Sequence, residues 1–298
     1  MSFFAVRAYS IISPFGRTRE STVFVAASTD CFAQLPLNAA LKKLFDLEYN
    51  RAEIVLRESG PQLRPSQVAA DLESAVNVCR DTHRLTPVAY FYDVDPEIPE
   101  FYKQFSAICK LAKATKVGVI TVRAGELGTP FNAEIERLRE LVKIATIEGV
   151  LVGLKTEADR MTQDPDTAKV LCDNVKGLCL TLDPSHYHHG PMYGAKYDHL
   201  LPYVCHTQLR DSNKKALQVK VGQGEIEYGR IVSHLAKFKY QRAFCVNITD
   251  QEDPEIDHLG EMRKMRLLLE SLLYRLARAL TRNAFDSATI RSREPNIH

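Results

Sequence analysis

The stretch that decides the fold reads Leu-Thr-Leu-Asp-Pro-Ser-His and covers residues 180–186. Its apolar-rich alternation is typical of a half-buried strand, and Pro184 ends that strand because proline has no N–H to continue a ladder. Asp183 and His186 follow three residues apart in the turn, where a carboxylate and an imidazole could converge on a metal ion or a substrate hydroxyl. For an isolated pair of this spacing, a turn cap beside a surface histidine is the more common explanation, so its surroundings must decide.

The same pattern recurs on both sides of this stretch, as a short β-branched or aromatic run followed by a longer stretch with helical spacing. The runs that predict strands are residues 23–27, 52–56, 87–92, 118–122, 150–154, 179–183, 205–209 and 243–248. The helices expected between them include one that begins at Pro65, one at about residues 197–204, and a last one from about residue 256 to about residue 280.

Eight strand–helix units predict an α/β fold, a single (β/α)8 TIM barrel with the helices outside. A doubly wound open sheet is the alternative, but no G-x-G-x-x-G follows the first strand. We assign residues 22–281 to the barrel, 1–21 to a flexible N-terminal extension and 282–298 to a disordered tail.

Composition excludes several classes of partner. The 39 Lys and Arg residues against 37 Asp and Glu leave a net charge of +2, which gives no basic face for nucleic acid. No apolar run is long enough to cross a membrane. Seven cysteines without a C-x-x-C are typical of a reducing compartment, so we expect a cytoplasmic protein without disulfides.

The last helix is rich in leucine, and its surplus apolar surface should cover the barrel floor or a second subunit of a homodimer.

Barrels of this class work at the carboxyl ends of their strands, so the polar residues at those ends form the candidate site. Alternation along a strand places Lys155 and Glu157 on one side, and likewise His206 and Gln208. The full candidate set is Arg123, Lys155, Glu157, Asp183, His186, His206, Gln208, Arg210, Asp211 and Asn247.

Three motifs then agree in order and spacing. Residues 180–186, residues 206–211 (His-Thr-Gln-Leu-Arg-Asp) and residues 221–226 (Val-Gly-Gln-Gly-Glu-Ile) resemble the xylose isomerase-like TIM-barrel superfamily. That superfamily of sugar isomerases, epimerases and endonuclease IV runs L-D-x-x-H, then H-x-H-L-x-D, then G-x-G-x-I/V. The resemblance is strongest over residues 150–250 and implies the same barrel.

The chain departs from the family at its metal site. The family holds its metal with a glutamate on strand five, the aspartate of strand six, the second histidine of the strand-seven motif and a glutamate on strand eight. These positions are Lys155, Asp183, Gln208 and Asn247 here, so only Asp183 is kept, with His186 beside it as a remnant. We therefore expect no cofactor in the family geometry, because hard cations need several anionic oxygens and zinc about four ligands.

Two replacements for that metal are open. The ammonium of Lys155 could take the place of the cation and pair with Asp183, or Lys155 could simply extend to water. A shifted site for Mn, Mg or Zn is the other alternative, and its ligands would be Glu157, Asp183, His186 and His188 or His189.

The resemblance implies a small-molecule partner and a sugar or sugar-phosphate isomerase or epimerase. Glu157 or His186 would act as the base, and Lys155 and Arg123 would stabilise the enediolate oxygen. The remaining candidates would bind substrate, and they are His206, Gln208, Arg210 and Asn247. A Schiff-base enzyme built on Lys155 and a barrel that binds a carbohydrate or acidic metabolite without turnover are the alternatives. A nuclease is disfavoured because the strand ends supply too few metal ligands.

Overall fold

The computed structural model describes residues 10–12, 18–20, 23–250 and 257–291. Within these ranges eight parallel strands form a closed barrel, and each strand pairs with its neighbours in sequence. The strands are β1 Phe24–Ser28, β2 Arg51–Leu56, β3 Thr86–Tyr92, β4 Val119–Val122, β5 Leu151–Lys155, β6 Leu178–Leu182, β7 Val204–Leu209 and β8 Ala243–Val246. Pairing of β8 with β1, with Ala243 opposite Phe24, closes the barrel. The predicted TIM barrel is confirmed.

Helices surround the barrel in the described ranges. They are α1 Leu37–Asp46, α2 Pro65–Ala70, α3 Leu72–Arg80, α4 Phe101–Thr115, α5 Phe131–Ile147, α6 Pro165–Asn174, α7 Ser185–His188, α8 Tyr228–Lys237 and α9 His258–Arg291. None of them carries an apolar stretch long enough to span a lipid bilayer. All seven cysteines are free thiols.

Two helices differ from the sequence prediction. The one that begins at Pro65 is divided at Asp71, because the Asp71 carboxylate accepts a hydrogen bond from Ser74 N at 2.9 Å and caps a second helix. The helix expected at residues 197–204 is a 3₁₀ turn, Asp198–Tyr203, since Pro202 has no N–H to donate within an α-helix.

The chain ends also carry structure beyond the prediction. Residues Ser10–Ile12 and Thr18–Glu20 form an antiparallel ribbon inside the predicted extension. The last helix continues to Arg291, past its predicted end, while the rest of the predicted extension and the last part of the predicted tail lie outside the described residues. Much of the apolar surface of α9 packs on the barrel, but Leu267 stays exposed, and the homodimer stays a prediction.

Alternation along the strands divides their side chains between two environments. Ile54, Leu154 and Leu180 are fully buried in the apolar layer between the barrel and its helices. The opposite faces point into the barrel, where the Thr121 and Thr181 hydroxyls lie 2.8 Å apart. Polar side chains therefore line the barrel interior from its middle to its carboxyl end.

Gly153 on β5 marks a point where that interior has no room for a side chain. A Cβ there would collide with the Thr181 hydroxyl and lie 3.1 Å from Cys205 Sγ. We expect Gly153→Ala to lower the free energy of unfolding by about 1–3 kcal/mol in urea titrations, as overpacked cores do. The matched control is Gly229→Ala in α8, where the new Cβ meets Leu272 at an ordinary 3.6 Å and helix propensity improves. Equal losses in both variants would contradict this account of the interior.

Candidate active site at the barrel mouth

The carboxyl ends of β4 to β8 bring the predicted site residues to one face of the barrel. Eight of them are buried, namely Lys155, Asp183, His186, His206, Gln208, Arg210, Asp211 and Asn247. Arg123 and Glu157 are partly exposed at the rim, with 35% and 14% of their side chains accessible. The mouth is therefore a largely desolvated charged site, where electrostatic interactions are stronger than at an open surface.

Asp183 lies fully buried at the centre of the mouth. Arg210 Nη2 donates to Asp183 Oδ2 at 3.1 Å, while the backbone N–H of Ser185 at 3.1 Å and the Ser185 hydroxyl both donate to Oδ1. Burial alone would raise the pKa of the carboxyl, but the charges of Arg210 and Lys155 and the hydrogen bond from Ser185 hold it below its ordinary value. The retained aspartate is thus ionised, with both oxygens engaged.

The cation bound directly to Asp183 is Arg210, so the expected direct Lys155–Asp183 pair is wrong. Lys155 Nζ instead lies 3.6 Å from Glu157 Oε1 and 5.1 Å from the centre of the Phe91 ring. Glu157 follows Lys155 by two residues on the same side of the chain, which explains the closer approach. Lys155 acts on Asp183 at longer range, as a second positive charge beside it.

A chain of alternating charges continues from Lys155 around the rim. Arg123 Nε lies 3.3 Å from Glu157 Oε2 and 3.1 Å from Asp93 Oδ1. Arg57 then donates to Asp93 at 2.6 Å. Sequence reasoning missed Asp93 and Arg57, although each directly follows a predicted strand, the position that identified the other candidates.

His186 is held as a neutral imidazole. Its Nδ1 accepts a hydrogen bond from the backbone N–H of Ala158 at 3.2 Å, so the ring proton belongs on Nε2, which faces Asp183 Oδ2 at 3.6 Å. Burial lowers the pKa of His186 to about 4, against the opposing charge of Asp183. With its lone pair occupied, His186 is poorly placed to act as a base.

Glu53 is the main site residue that the sequence analysis missed. This fully buried carboxylate points into the barrel from β2, where His206 Nε2 and Gln208 Nε2 each lie 2.8 Å from one of its oxygens. Burial raises the pKa of Glu53, but the hydrogen bonds and the charge of His206 hold it below its ordinary value. A carboxylate inside the otherwise apolar run of residues 52–56 was the available signal.

The four residues at the family's metal position do not fit a divalent ion. Asp183 is the only anion among them, and its oxygens are already bound. Arg210 and Lys155 place two positive charges beside it, which would repel a cation in a buried site.

The shifted site is not formed either. Among the residues that the structure describes, one group of three His, Cys, Asp or Glu side chains has ligand atoms within 4.8 Å of one another. That group is Glu53, His206 and Cys245, inside the barrel, and it shares no member with the expected shifted set.

Asp211 has a structural role in the loop after β7. Its Oδ2 accepts hydrogen bonds from Gly222 N at 2.7 Å and from Gly224 N at 3.0 Å. A Cβ at Gly224 would collide with this carboxylate, which explains the second glycine of the motif.

A cavity of about 810 Å³ opens beside the rim, between the loops after β3 and β4. Its lining includes the charged side chains of Arg57, Asp93 and Arg123 and the aromatic residues Tyr92 and Phe101. A small polar molecule could therefore reach Arg123 from this side.

Comparisons with known proteins agree with the fold. A xylose isomerase-like TIM barrel protein from Mycobacterium smegmatis, solved with magnesium, is 16% identical over 84% of this chain and 96% of its own, with a TM-score of 0.68. The 3-keto-D-glucoside 4-epimerase YcjR from E. coli is 14% identical over 83% of this chain and 100% of its own, with a TM-score of 0.62. An L-ribulose 3-epimerase is 10% identical over 91% and 99%, with a TM-score of 0.63.

These identities show a shared fold and nothing finer, and comparison with curated proteins finds no match. The model of the family described as xylose isomerase-like TIM barrel, however, matches residues 41–268 of the sequence. The match covers most of the chain and includes all the strand-end residues described above. The chain therefore belongs to the xylose isomerase-like TIM barrel family.

Proposed function

We propose that this protein is an isomerase of a sugar or sugar phosphate whose mouth works without a divalent metal. The observation that carries the proposal is the environment of Asp183, which is buried against Arg210 with Lys155 as a second cation nearby. Two fixed positive charges thus lie beside the one carboxylate kept from the family's ligand set. The family fold and the epimerases among the structural neighbours support a carbohydrate substrate.

Lys155 and Arg123 would stabilise the negative charge that develops on a substrate carbonyl oxygen. No described residue accepts a hydrogen bond from the terminal nitrogens of Arg123, whose contacts with Asp93 and Glu157 are made by Nε. Lys155 is held in place by Glu157 and the Phe91 ring. Preorganised donors in a desolvated site provide this kind of stabilisation without a metal.

Glu157 is the best candidate for the base. Its Oε2 is shielded from solvent and accepts no hydrogen bond, although the Arg123 Nε lies 3.3 Å away, whereas the Asp183 oxygens and the His186 lone pair are occupied by hydrogen bonds. A single base can move a proton between neighbouring carbons on one face of an enediol. Epimerisation inverts a substrate carbon, which requires a proton to be delivered from the opposite face. The geometry therefore favours aldose–ketose isomerisation over epimerisation.

The other two candidate functions make different predictions. Lys155 Nζ already contacts the Glu157 carboxylate and the Phe91 ring, and a carbonyl substrate would have to displace these contacts before a Schiff base could form. We expect borohydride to trap no adduct on Lys155. Many mouth side chains are already paired with one another and so are not free to act as an acid or a base. This pairing is the observation that favours binding without turnover.

The test is solvent exchange in D2O. A panel of aldoses, ketoses and their phosphates is incubated with chelator-treated protein, and deuterium at the first and second carbons is followed by NMR. We expect incorporation into a panel member at a rate unchanged by added Mn²⁺ or Mg²⁺. Exchange that requires added metal would contradict the proposal. A compound that raises the melting temperature without exchanging would support binding without turnover instead.

A further inference from the structure

The interior group formed by Glu53, His206 and Cys245 lies on three strands of the barrel and takes no part in the proposed reaction. One ligand atom from each lies within 4.8 Å of the other two, and at most 1% of any of the three residues is exposed. They come from β2, β7 and β8, so strands from the two ends of the chain meet here. The small side chain of Ala26 on the intervening β1 leaves space for the group to converge.

Two neighbouring amide oxygens lack partners. Gln208 Oε1 and Asn247 Oδ1 are buried and accept no hydrogen bond, although both residues are at most 1% exposed. Gln208 lies opposite Cys245 in the β7–β8 register, and its other amide atom already donates to Glu53. Asn247 follows Cys245 by two residues and so points to the same side. Unpaired buried acceptors are unfavourable unless a donor or a cation satisfies them.

We propose that Glu53, His206 and Cys245 form a site for a zinc-type transition metal, with Gln208 Oε1 or Asn247 Oδ1 as the fourth ligand. Thiolate and imidazole ligands select zinc or cobalt over magnesium and calcium. One carboxylate and one thiolate would neutralise a divalent ion, which makes the bound site compatible with complete burial. The thiol proton must leave when the metal binds, and the proton that His206 Nε2 now donates to Glu53 must also leave that nitrogen, to Nδ1 or to water. Two metal bonds then replace the hydrogen bond between His206 and Glu53.

The site is closed and would be structural. Its three main ligands come from strands, and four protein ligands leave no open position for substrate, as in structural zinc sites. A metal here would link β2 to β7 and β8 on either side of the junction where the barrel closes. This inference is independent of the proposed isomerase activity, because the mouth residues Asp183, Arg210 and Lys155 are not ligands.

Cobalt provides the test, because a Co²⁺ ion bound to thiolate has an intense near-ultraviolet charge-transfer band that the cysteine-free mouth cannot produce. Metal-free full-length protein is titrated with Co²⁺. In a separate sample that has not been stripped of metal, the bound zinc is displaced and its amount per protein chain is measured. We expect one equivalent of Co²⁺ with the charge-transfer band, visible bands typical of four-coordination, and a higher melting temperature. A wild-type protein that binds neither Co²⁺ nor Zn²⁺ tightly would overturn the proposal.

Variants locate the ion. Cys245→Ser should abolish the charge-transfer band and weaken Co²⁺ binding at least about tenfold. Cys205→Ser, at a buried cysteine on β7 outside the group, is the matched control and should keep the band. Asp183→Asn should also keep it. Circular dichroism of each variant confirms folding, and a band that survives Cys245→Ser in folded protein would place the metal elsewhere and refute the site.

Discussion

Replacing Arg210 with methionine is expected to lower the free energy of unfolding at pH 7 by about 3–5 kcal/mol. The variant leaves the Asp183 carboxylate fully buried without the guanidinium that now lies 3.1 Å from it. Methionine keeps most of the volume of the aliphatic stem, so the loss reports mainly on charge. Urea denaturation measures the difference. The matched control is Arg139→Met, which breaks an exposed pair with Glu136 and should lower stability by about 1 kcal/mol or less.

The pH dependence distinguishes an electrostatic loss from a packing defect. The folded-state pKa of Asp183 is lowered, so its pairing stabilises the wild type above the unfolded pKa of about 3.9. That contribution is lost as the pH falls through the lower, folded-state pKa. In Arg210→Met, burial disfavours the ionised form of the Asp183 carboxylate, so protonation of that carboxylate removes the destabilising charge. The stability gap should therefore narrow as the pH falls from 7 toward about 4, and a gap independent of pH would refute the charge-pair account.

Glu157→Gln is expected to lower kcat for deuterium exchange by about 10²–10⁴-fold, the usual contribution of a general base. The amide keeps the shape of the side chain but cannot accept the substrate proton. The control is Glu126→Gln, a change of the same kind at an exposed rim residue that pairs with Arg160 at 3.5 Å. Exchange rates and melting temperatures are measured together. An unchanged rate, or an equal loss in the control, would remove Glu157 from the base role.

The fold was predictable because its signal is periodic. Each strand–helix unit repeats the same change of hydrophobic period, and the motifs fix the order of the last units. The division of the predicted helix at Asp71 and the 3₁₀ turn that contains Pro202 were less predictable. Both depend on local chemistry. In each case one residue, a capping aspartate or a proline, overrides a helical pattern that continues through it.

The pairing of charges within the site depends on relations between strands that no single strand encodes. Alternation placed Lys155 beside Glu157, which the structure shows in contact. Whether Asp183 meets Lys155 or Arg210 depends on how β6 and β7 are aligned, and their register shifts between Leu180 and Thr181. Such an irregularity re-aims the side chains that follow it. Glu53 was missed because it lies inside a strand, whereas the predicted site residues lie at strand ends.

The central claim is that fixed cations occupy the place of the family's metal at the mouth. Mn²⁺ tests it most directly, because this hard ion prefers carboxylate oxygens and so reports on the mouth rather than on the thiol-containing interior group. Chelator-treated protein is titrated with Mn²⁺ and followed by electron paramagnetic resonance. With the wild type, the spectrum should remain that of the free aqueous Mn²⁺ ion. The combined Lys155→Glu, Gln208→His and Asn247→Glu variant should bind one equivalent of Mn²⁺. Tight binding of one Mn²⁺ by the wild type, lost in Asp183→Asn, would contradict the account.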